Sequence, residues 1–590
     1  MLPDPQSGHA SLPVSGRSID SVTGLVSMCR TLRPAADIAR ARRAKCDEAL
    51  TIPASGPSAP RTRPSVGSMA DSPRRPLPGW LLSGGAGVAA ALFGAGLGEL
   101  SAALFAQGGS PFTVIGSWLV DLAPPWAKDT AIALFGTNNK TALLVGIGIV
   151  LASLAFGAGV LEWRRPPFGR VVLVGLGVVG FIAATSRANA TPLDWIPSAI
   201  AAGAAASALA VVLKRLPARP PTRADAPDEA DRAVDIDRRR FLGWAGGAAA
   251  IGALAALGGY AMQAGSRAVT AVREAISLPT PATPAPPIPS GADLGINGLA
   301  PVVTPNDRFY RIDTALRVPD LEPADWSLRI HGMVDREVTL TWDELLALPM
   351  VEHAVTLACV SNEVGGSLIG NAVWLGAPIR DLLAEAGPSA DADMVLSRSV
   401  DGWTASTPIE ALTDDRQSLL AVGMNGEPLP AEHGFPVRMV VPGLYGYVSA
   451  TKWVTELEVT RFDRAQAYWT PRGWSERGPI KLHSRIDVPR YGSTVSPGTQ
   501  VAAGVAWHQH TGVAGVEVQV DDGPWEQAEL ATAISDDTWV QWRHEWQAEP
   551  GSRVLRVRAT GADGEVQTEE RTTVAPDGAT GHHIITVQVA

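Results

Sequence analysis

A single cysteine in the second half of the chain is the residue with the clearest chemical potential. Cys359 is the only cysteine after residue 46, and it follows an apolar, strand-like run in Thr356-Leu-Ala-Cys-Val-Ser-Asn-Glu-Val364. An unpaired thiol is usually a small buried hydrophobic group. A thiolate is also a soft ligand for a transition metal. Both interpretations of Cys359 stay open until its sequence neighbours are considered.

Basic residues follow Cys359 in a particular order. His433 and Arg438 are five apart across Gly-Phe-Pro, a spacing that is not helical, so a loop and a strand start must place them. A guanidinium suits a phosphate group, which it binds through two parallel hydrogen bonds. A glycine-rich turn from Pro442 then ends in Lys452 and Trp453. One thiolate, a His/Arg pair and this turn, in this order, resemble the sulfite oxidase family of molybdenum enzymes.

The resemblance covers residues 295–590 and implies a Mo-molybdopterin cofactor. Cys359 would be the metal ligand, and Trp374, which matches a family aromatic residue near the metal, would be catalytic with it. Each of three residues also has an ordinary structural interpretation. Trp374 could be a core residue, Asp401 a turn residue and Lys452 a solvated surface lysine. The implied cofactor-binding residues are Asn306, Tyr310, Arg311, Cys359, Asp401, His433, Arg438, Ala450, Thr451 and Lys452. The last three of these should bring two amides and an ammonium group to the pterin.

The sequence departs from the family where the substrate binds. Sulfite oxidases follow the cysteine with Ala-Gly-Asn-Arg-Arg, and the last arginine helps to hold sulfite; here Glu363 and Val364 stand at those two arginine positions. The second anion-holding arginine falls in the segment 506–512, which contains none. Tyr468 and Trp474 are the candidates for the family's catalytic tyrosine. Each lost charged hydrogen bond costs about 1.5–3 kcal/mol, so sulfite is a doubtful substrate.

Composition predicts membrane segments in the first half of the chain. At 590 residues it is too long for one domain, only 18% of the residues are charged, and the net charge of -10 argues against a nucleic-acid partner. Five apolar segments each approach the roughly 20 residues that cross a bilayer. They are residues 80–106, 141–161, 170–186, 193–213 and 241–262, whereas 111–135 is broken by charges and prolines and predicts an interfacial or re-entrant loop.

Arginine and lysine residues predict the orientation of these spans. They cluster before the first span, between the second and third, and between the fourth and fifth, so these loops and the N-terminus should be cytoplasmic. Everything after residue 262 should then be extracytoplasmic, on a bacterial cell membrane. The run Asp237-Arg-Arg-Arg-Phe-Leu242 before the last span resembles a twin-arginine export signal, which suits a protein that crosses the membrane folded. The alternative is an ordinary positive anchor.

The sequence also allows predictions about the N-terminal segment and about electron transfer. Residues 1–78 predict a disordered or mis-started segment, with Met69 as the candidate true start. None of the ten histidines lies in a span and no Cys-x-x-Cys-His occurs, so we expect no haem in this chain. Electrons should therefore pass to or from a separate cytochrome or the quinone pool, with the spans acting as an anchor or in a quinone-linked role.

The predicted architecture is a membrane all-α bundle of five spans in residues 79–263, followed by two further domains. Residues 264–294 form a linker whose proline-rich part, 279–289, should hold the catalytic domain off the bilayer. Residues 295–477 predict an α+β molybdopterin-binding domain. Alternating strands in 478–590 predict an all-β, immunoglobulin-like sandwich. In the resembled family that domain carries dimerisation, so a homodimer is expected.

Three functions fit these patterns. The first is a membrane-anchored, extracytoplasmic oxidoreductase that transfers an oxygen atom to or from a small substrate. The second is a sulfoxide or N-oxide reductase on the same fold, because a neutral substrate needs fewer arginines. The third is a non-catalytic, membrane-anchored binding protein, against which the intact Cys359, Arg438 and Lys452 argue.

Overall fold

Among the residues that the structure describes, helices fill the earlier part and strands the later part, as the hydropathy and alternation patterns predict. The computed structural model describes residues 78–590 apart from 125–126, 128–129, 131–133, 135–138, 188–189, 216–226, 264–271 and 317. The prediction for the N-terminal segment, including Met69, lies outside the described residues. The helices are α1 Gly79–Phe105, α2 Pro111–Leu122, α3 Asn139–Arg164, α4 Phe168–Thr185, α5 Ile196–Leu213, α6 Pro227–Gln263, α7 Trp342–Leu346, α8 Ile379–Ala386, α9 Glu410–Thr413 and α10 Gly446–Ser449.

Five of the helices are long and apolar enough to cross a membrane. They are α1, α3, α4, α5 and the part of α6 from Arg240 to Gly259, so all five predicted apolar segments are confirmed as helices. Helix α2 has 12 residues. That is too short to cross a bilayer at 1.5 Å per residue. The predicted loop in this region is therefore helical at its start, where Ser110 caps α2 by accepting a hydrogen bond from the backbone N–H of Thr113.

Small residues let the helices pack closely around α1, which contacts α3, α5 and α6. A side chain at Gly87 would overlap the Ala155 carbonyl oxygen of α3, and one at Gly96 would overlap the Gly252 carbonyl oxygen of α6. Between apolar helices, such close backbone approach replaces the hydrophobic driving force that operates in water. The many glycines and alanines of α1 therefore determine which helices can surround it.

Strands dominate the chain after residue 326. The short helices between them have ordinary caps: Thr341 and Glu344 form a reciprocal capping box at α7, and Gly387 ends α8 in the left-handed conformation. The strands are β1 Ser327–Gly332, β2 Val338–Thr341, β3 Val351–Ala358, β4 Ile369–Pro378, β5 Met394–Ser399, β6 Thr404–Pro408, β7 Leu419–Met424, β8 Glu427–Pro428, β9 Arg438–Val440, β10 Val454–Thr460, β11 His483–Val488, β12 Thr494–Val495, β13 Gly498–Trp507, β14 Val513–Val520, β15 Trp525–Gln527, β16 Glu529–Leu530, β17 Val540–Ala548, β18 Gly551–Gly561 and β19 His583–Val589.

Two sheets carry the predicted site residues. One sheet has the order β2-β1-β10-β5-β6, with a parallel β1–β10 pair, and the other has the order β3-β4-β7-β8 with β9 on β7. Cys359 directly follows β3, and Arg438 begins β9. Asp401 lies in the β5–β6 turn, and Lys452 precedes β10. A single bridge between Arg438 and Lys452 joins the two sheets at this point.

The C-terminal part is β-rich, as expected. Its sheets, β11-β13-β17-β16 and β12-β19-β18-β14-β15, share one hydrophobic core that includes Trp542 and Val557. Trp507 and Trp539 instead join the core of the preceding sheets. The two parts are therefore packed as one unit, which extends from Pro76 to Ala590. The immunoglobulin-like assignment and the dimerisation role stay predictions.

The prediction that the proline-rich segment 279–289 is a free spacer is wrong. The backbone N–H of Ala282 donates to Met350, Thr283 forms a parallel bridge with Val351, and the N–H of Glu352 donates to Thr283. The segment thus adds to the free edge of β3, because its non-proline residues still offer the backbone groups that an edge strand lacks. Lys140 at the start of α3 also contacts Asp313. The bundle therefore contacts a loop of the catalytic part.

Packing around α1 predicts a sharp difference between two glycines of that helix. Gly87→Ala places a methyl group against a backbone carbonyl and should destabilise the protein by about 1–3 kcal/mol. Gly85 is exposed and a Cβ there meets no atom within 4 Å. Gly85→Ala should be neutral or slightly stabilising. Thermal unfolding of the detergent-solubilised protein checks this, and equal melting temperatures for the two variants would contradict the packing argument.

Candidate active site

A cavity of about 150 Å³ opens where the two sheets meet. Cys359 lies on its wall together with groups from several connecting segments, so residues distant in sequence face one space. Two carboxylates and two cations line it: Asp313, Asp401, Arg438 and Lys452. Aromatic and hydroxyl-bearing residues form much of the rest of the wall, among them Tyr310, Trp403, Tyr447, Trp469, Trp474, Ser361 and Ser399.

The loop after β3 presents the thiol of Cys359. Its sulfur accepts a hydrogen bond of 3.4 Å from the N–H of Ser361, and the backbone N–H of Cys359 donates to Leu368. The side-chain oxygen of Asn362 accepts from the N–H of Leu368 at 2.8 Å, which closes the loop. Burial raises the pKa of the Cys359 thiol, and the Ser361 hydrogen bond opposes this effect. Burial alone therefore favours the protonated thiol.

Arg438 is a buried cation. Its guanidinium donates to the backbone oxygens of Met439 and His433 and lies 5.0 Å above the Trp374 ring. Among the residues that the structure describes, it forms no ion pair with a carboxylate. Burial lowers the pKa of Arg438 to about 10, so the group is still charged at neutral pH. A buried charge normally has a partner, and the missing partner points to an anionic ligand.

His433 lies behind Arg438. Its Nε2 is 3.1 Å from the backbone oxygen of Asn306, and its Nδ1 is buried without a hydrogen-bond partner among the described residues. Burial, and after it Arg438 and Lys452, lower the pKa of His433 to about 4. The ring is therefore neutral at physiological pH and has one nitrogen unsatisfied.

Asp313 balances the second cation, Lys452. The Lys452 ammonium donates to Asp313 at 3.0 Å and to the backbone oxygen of Glu432 at 2.9 Å. Burial lowers the pKa of Lys452 to about 8, although Asp313 opposes the shift. Burial alone raises the pKa of Asp313, but Lys452, Lys140 and Arg311 together hold it well below its usual range. The cavity thus contains one paired and one unpaired cation.

Comparison with known proteins identifies this arrangement. Residues 315–469 match the oxidoreductase molybdopterin binding domain. The uncharacterized oxidoreductase YuiH of Bacillus subtilis is 35% identical over 153 residues, which are 26% of this chain and 74% of that protein. The chain belongs to the sulfite oxidase family. Residues 315–469 therefore form a molybdopterin-binding oxidoreductase domain of that family.

Other relatives show how far the family likeness extends. The mitochondrial sulfite oxidase of Rattus norvegicus is 32% identical over 275 residues, covering 39% of this chain and 49% of the rat protein. The chain thus spans about half the length of the sulfite oxidases that it matches. The sulfane dehydrogenase SoxCD from Paracoccus pantotrophus is 23% identical in a superposition that covers 49% of this chain and 84% of that chain, with a weak TM-score of 0.42.

The residues present fit the family's Mo-molybdopterin cofactor. An anionic phosphate or dithiolene would supply the partner that Arg438 lacks, and the unsatisfied Nδ1 of His433 offers one more hydrogen bond. Cys359 would supply the thiolate ligand, since a positive metal favours the deprotonated sulfur. Lys452 has a third N–H for the pterin. When bound, the cofactor supplies the oxygen-transfer chemistry, while the protein supplies ligation, orientation and electrostatics.

The predicted site residues separate into two groups. Six of them lie on the cavity wall: Tyr310, Cys359, Asp401, Arg438, Ala450 and Lys452. Asp401 also accepts a hydrogen bond from the N–H of Trp403, which confirms its turn geometry. The other five are not among the lining residues: Asn306, Arg311, Trp374, His433 and Thr451.

Several residues behind the wall have structural hydrogen bonds in place of the predicted contacts. Trp374 is fully buried and donates to the backbone oxygen of Val355, so its position does not support the predicted catalytic contact and favours the core alternative. The Asn306 side chain bonds Asn425 and Met424. The hydroxyl of Thr451 is 2.7 Å from that of Ser397.

A backbone amide was also predicted incorrectly. The N–H of Ala450 donates to the oxygen of Gly446 within the turn that ends α10, and so it is not available for the pterin. The reason is local: Gly446–Ser449 forms a helical turn, and the residue after such a turn usually completes its last hydrogen bond.

Sequence reasoning missed Asp313 and most of the aromatic wall. Asp313 stands two residues after the predicted Arg311, but a lone aspartate carries no motif. Of the two candidates for the family's tyrosine, Trp474 lines the cavity and Tyr468 is not among the lining residues. Val364 is also absent from the described wall, where Val360 and Ser361 stand instead. The wall after Cys359 is therefore formed by residues closer to the thiol than the resemblance implies.

Replacement of the thiol tests the metal-ligand role. Cys359→Ser should leave folding and much of the pterin binding intact but abolish turnover, because an alkoxide is a harder ligand than a thiolate. Turnover per protein and the pterin content report on the two effects separately. Activity above about a tenth of the wild-type value would contradict the role of Cys359.

Proposed function

We propose that the protein is a membrane-anchored, extracytoplasmic oxidoreductase that transfers an oxygen atom to or from a small, uncharged substrate. The observation that carries the substrate class is the charge of the cavity wall. Arg438 and Lys452 are the cations on the described wall, and both are expected to face the cofactor. No further described wall cation is then left for a dianion such as sulfite.

Acidic groups strengthen this argument. Asp313 and Asp401 line the same cavity. Asp313 is already paired with Lys140, Arg311 and Lys452, so Asp401 is the carboxylate that would act on a substrate. A carboxylate near the substrate repels an anion, and the repulsion is stronger in a partly desolvated site than in water. A neutral sulfoxide or N-oxide avoids this cost.

The aromatic wall suits the same substrate class. The Tyr447 and Trp474 rings are 5.9 Å apart, and the Trp469 and Trp474 rings are 6.2 Å apart. The hydroxyl of Tyr447 donates to the backbone oxygen of Ser475, which fixes this ring in place. Such rings bind apolar parts of a ligand by burial and leave a sulfur or nitrogen oxide free to face the thiol side of the cavity.

Sulfite oxidation is the second candidate, and the likeness to the mitochondrial sulfite oxidases favours it. The two candidates separate in one experiment on full-length protein from a host that makes the cofactor. We expect stoichiometric molybdenum, and turnover of neutral sulfoxides or N-oxides with artificial electron carriers well above turnover of sulfite. If the purified protein contains no molybdenum, the proposal that it is an enzyme is wrong. If it clearly prefers sulfite, the proposal of an uncharged substrate is wrong.

Helix direction supports the extracytoplasmic location. Helix α3 begins at the end that contacts Asp313 and finishes at Arg164. Arg165, Arg170 and Lys214 also lie near the Arg164 end. By the positive-inside rule that end is cytoplasmic, so the catalytic part would stand on the opposite side. The electron partner there would be a separate cytochrome or the quinone pool, and dimerisation through residues 478–590 is part of the same proposal.

A wall cation should restore affinity for sulfite. Ser361→Arg puts a guanidinium on the cavity wall, and one charged hydrogen bond of about 1.5–3 kcal/mol should raise kcat/KM for sulfite tenfold or more. The gain should shrink at high salt, where screening weakens the attraction. Val364→Arg, outside the described wall, is the matched control and should have little effect. A larger gain from Val364→Arg would contradict the assigned wall.

The export route is tested by charge-preserving substitutions. Arg239→Lys with Arg240→Lys keeps two positive charges but removes the paired guanidinium groups that a twin-arginine receptor reads. The catalytic part should then remain cytoplasmic, as judged by its protection from protease added to spheroplasts. Unchanged cleavage from outside would show that these arginines only orient the last span.

A further inference from the structure

One carboxylate links the helix bundle to the cofactor-binding lysine. The ammonium of Lys140, the second residue of α3, donates to one oxygen of Asp313 at 2.7 Å. Lys452 and Arg311 each donate to the other oxygen at 3.0 Å. Asp313 is only 7% exposed, so these three cations satisfy most of its hydrogen-bonding capacity. The link therefore passes directly from a membrane-type helix to the active-site cavity.

The loop that carries Asp313 is attached to the bundle at two further places. Lys140 also donates to the backbone oxygen of Ala315 at 2.7 Å. The side chain of Leu316 lies over Gly116 of α2, where an added Cβ would come within 2.7 Å of it. Residues 311–316 are thus held from the bundle side, while Ile312, Asp313 and Thr314 form part of the cavity wall.

Because Lys140 binds one oxygen of Asp313, it restricts how Lys452 can bind the other. A carboxylate without Lys140 can turn both oxygens toward the two remaining cations. With Lys140 in place, one oxygen is occupied and Lys452 is limited to the other. The rigid geometry leaves the Lys452 ammonium close to Glu432 and with one N–H toward the cavity. Fixed positions of this kind are what a supporting residue contributes to a binding site.

We propose that the helix bundle is part of the cofactor site and that Lys140 is a positioning residue for it: by fixing Asp313 and the 311–316 loop, Lys140 orients Lys452 toward the pterin. The proposal rests on cofactor binding as assigned above and not on the choice of substrate. It makes the bundle a structural component of the enzyme in addition to an anchor.

Retention of molybdenum by full-length, detergent-solubilised protein tests this proposal. Lys140→Gln keeps a donor but removes the charge, and it should speed molybdenum loss during dialysis by roughly 3- to 10-fold, the range set by one net hydrogen bond. Lys140→Arg should restore wild-type retention. The control is Arg187→Gln, which removes a hydrogen bond to Gly108 elsewhere in the bundle and should leave retention unchanged. Melting temperatures monitor bundle integrity in all variants.

Several results would overturn the proposal. These are unchanged retention in Lys140→Gln, failure of Lys140→Arg to restore retention, or equal loss in Arg187→Gln. If Lys140→Gln does not accumulate, Asp313→Asn tests the same link from the cavity side, and full molybdenum retention in that variant would also refute it. Wild-type protein that never contains molybdenum would instead refute the assigned cofactor, so the two failures are distinct.

Discussion

A buried positive charge without an internal counter-ion is the constraint on which the site depends. Arg438 is desolvated at the start of a short strand, and the described residues offer it only backbone oxygens and an aromatic ring. Such a group is costly unless an anion arrives. Because Arg438 and Lys452 come from different sheets that meet in one bridge, the anion also completes the junction between the sheets. Cofactor binding and fold stability are therefore coupled at this point.

The two cations of the cavity differ in whether an internal carboxylate pairs with them. Lys452 has a full partner in Asp313, while Arg438 has none among the described residues. The paired lysine can be preorganised before a ligand binds, and the unpaired arginine supplies the driving force. This division lets the same small cavity be both rigid and strongly attractive for a phosphate or a dithiolene.

Much of the site could be predicted from sequence because its key residues are chemically distinctive and occur in a recognisable order. Cys359, Arg438 and Lys452 belong to this class, and the apolar runs likewise predicted all five long helices. The amide of Ala450 is used within its own turn, and Trp374 lies in the core outside the described wall, since sequence order does not tell which face of a segment points into a cavity. The Lys140–Asp313 pair could not be predicted, because 173 residues separate its members and only tertiary packing brings them together.

The proline-rich segment on the edge of β3 affects where a fragment containing only the catalytic half should begin. Its backbone pairs with Val351 and Glu352, the first residues of a strand whose other end leads to Cys359, and its prolines offer no N–H groups to a further strand. A fragment that starts after residue 289 would expose this edge as a template for intermolecular pairing. The boundary of a soluble catalytic fragment is therefore set by an edge strand contributed from the linker, upstream of the first residue of the catalytic fold itself.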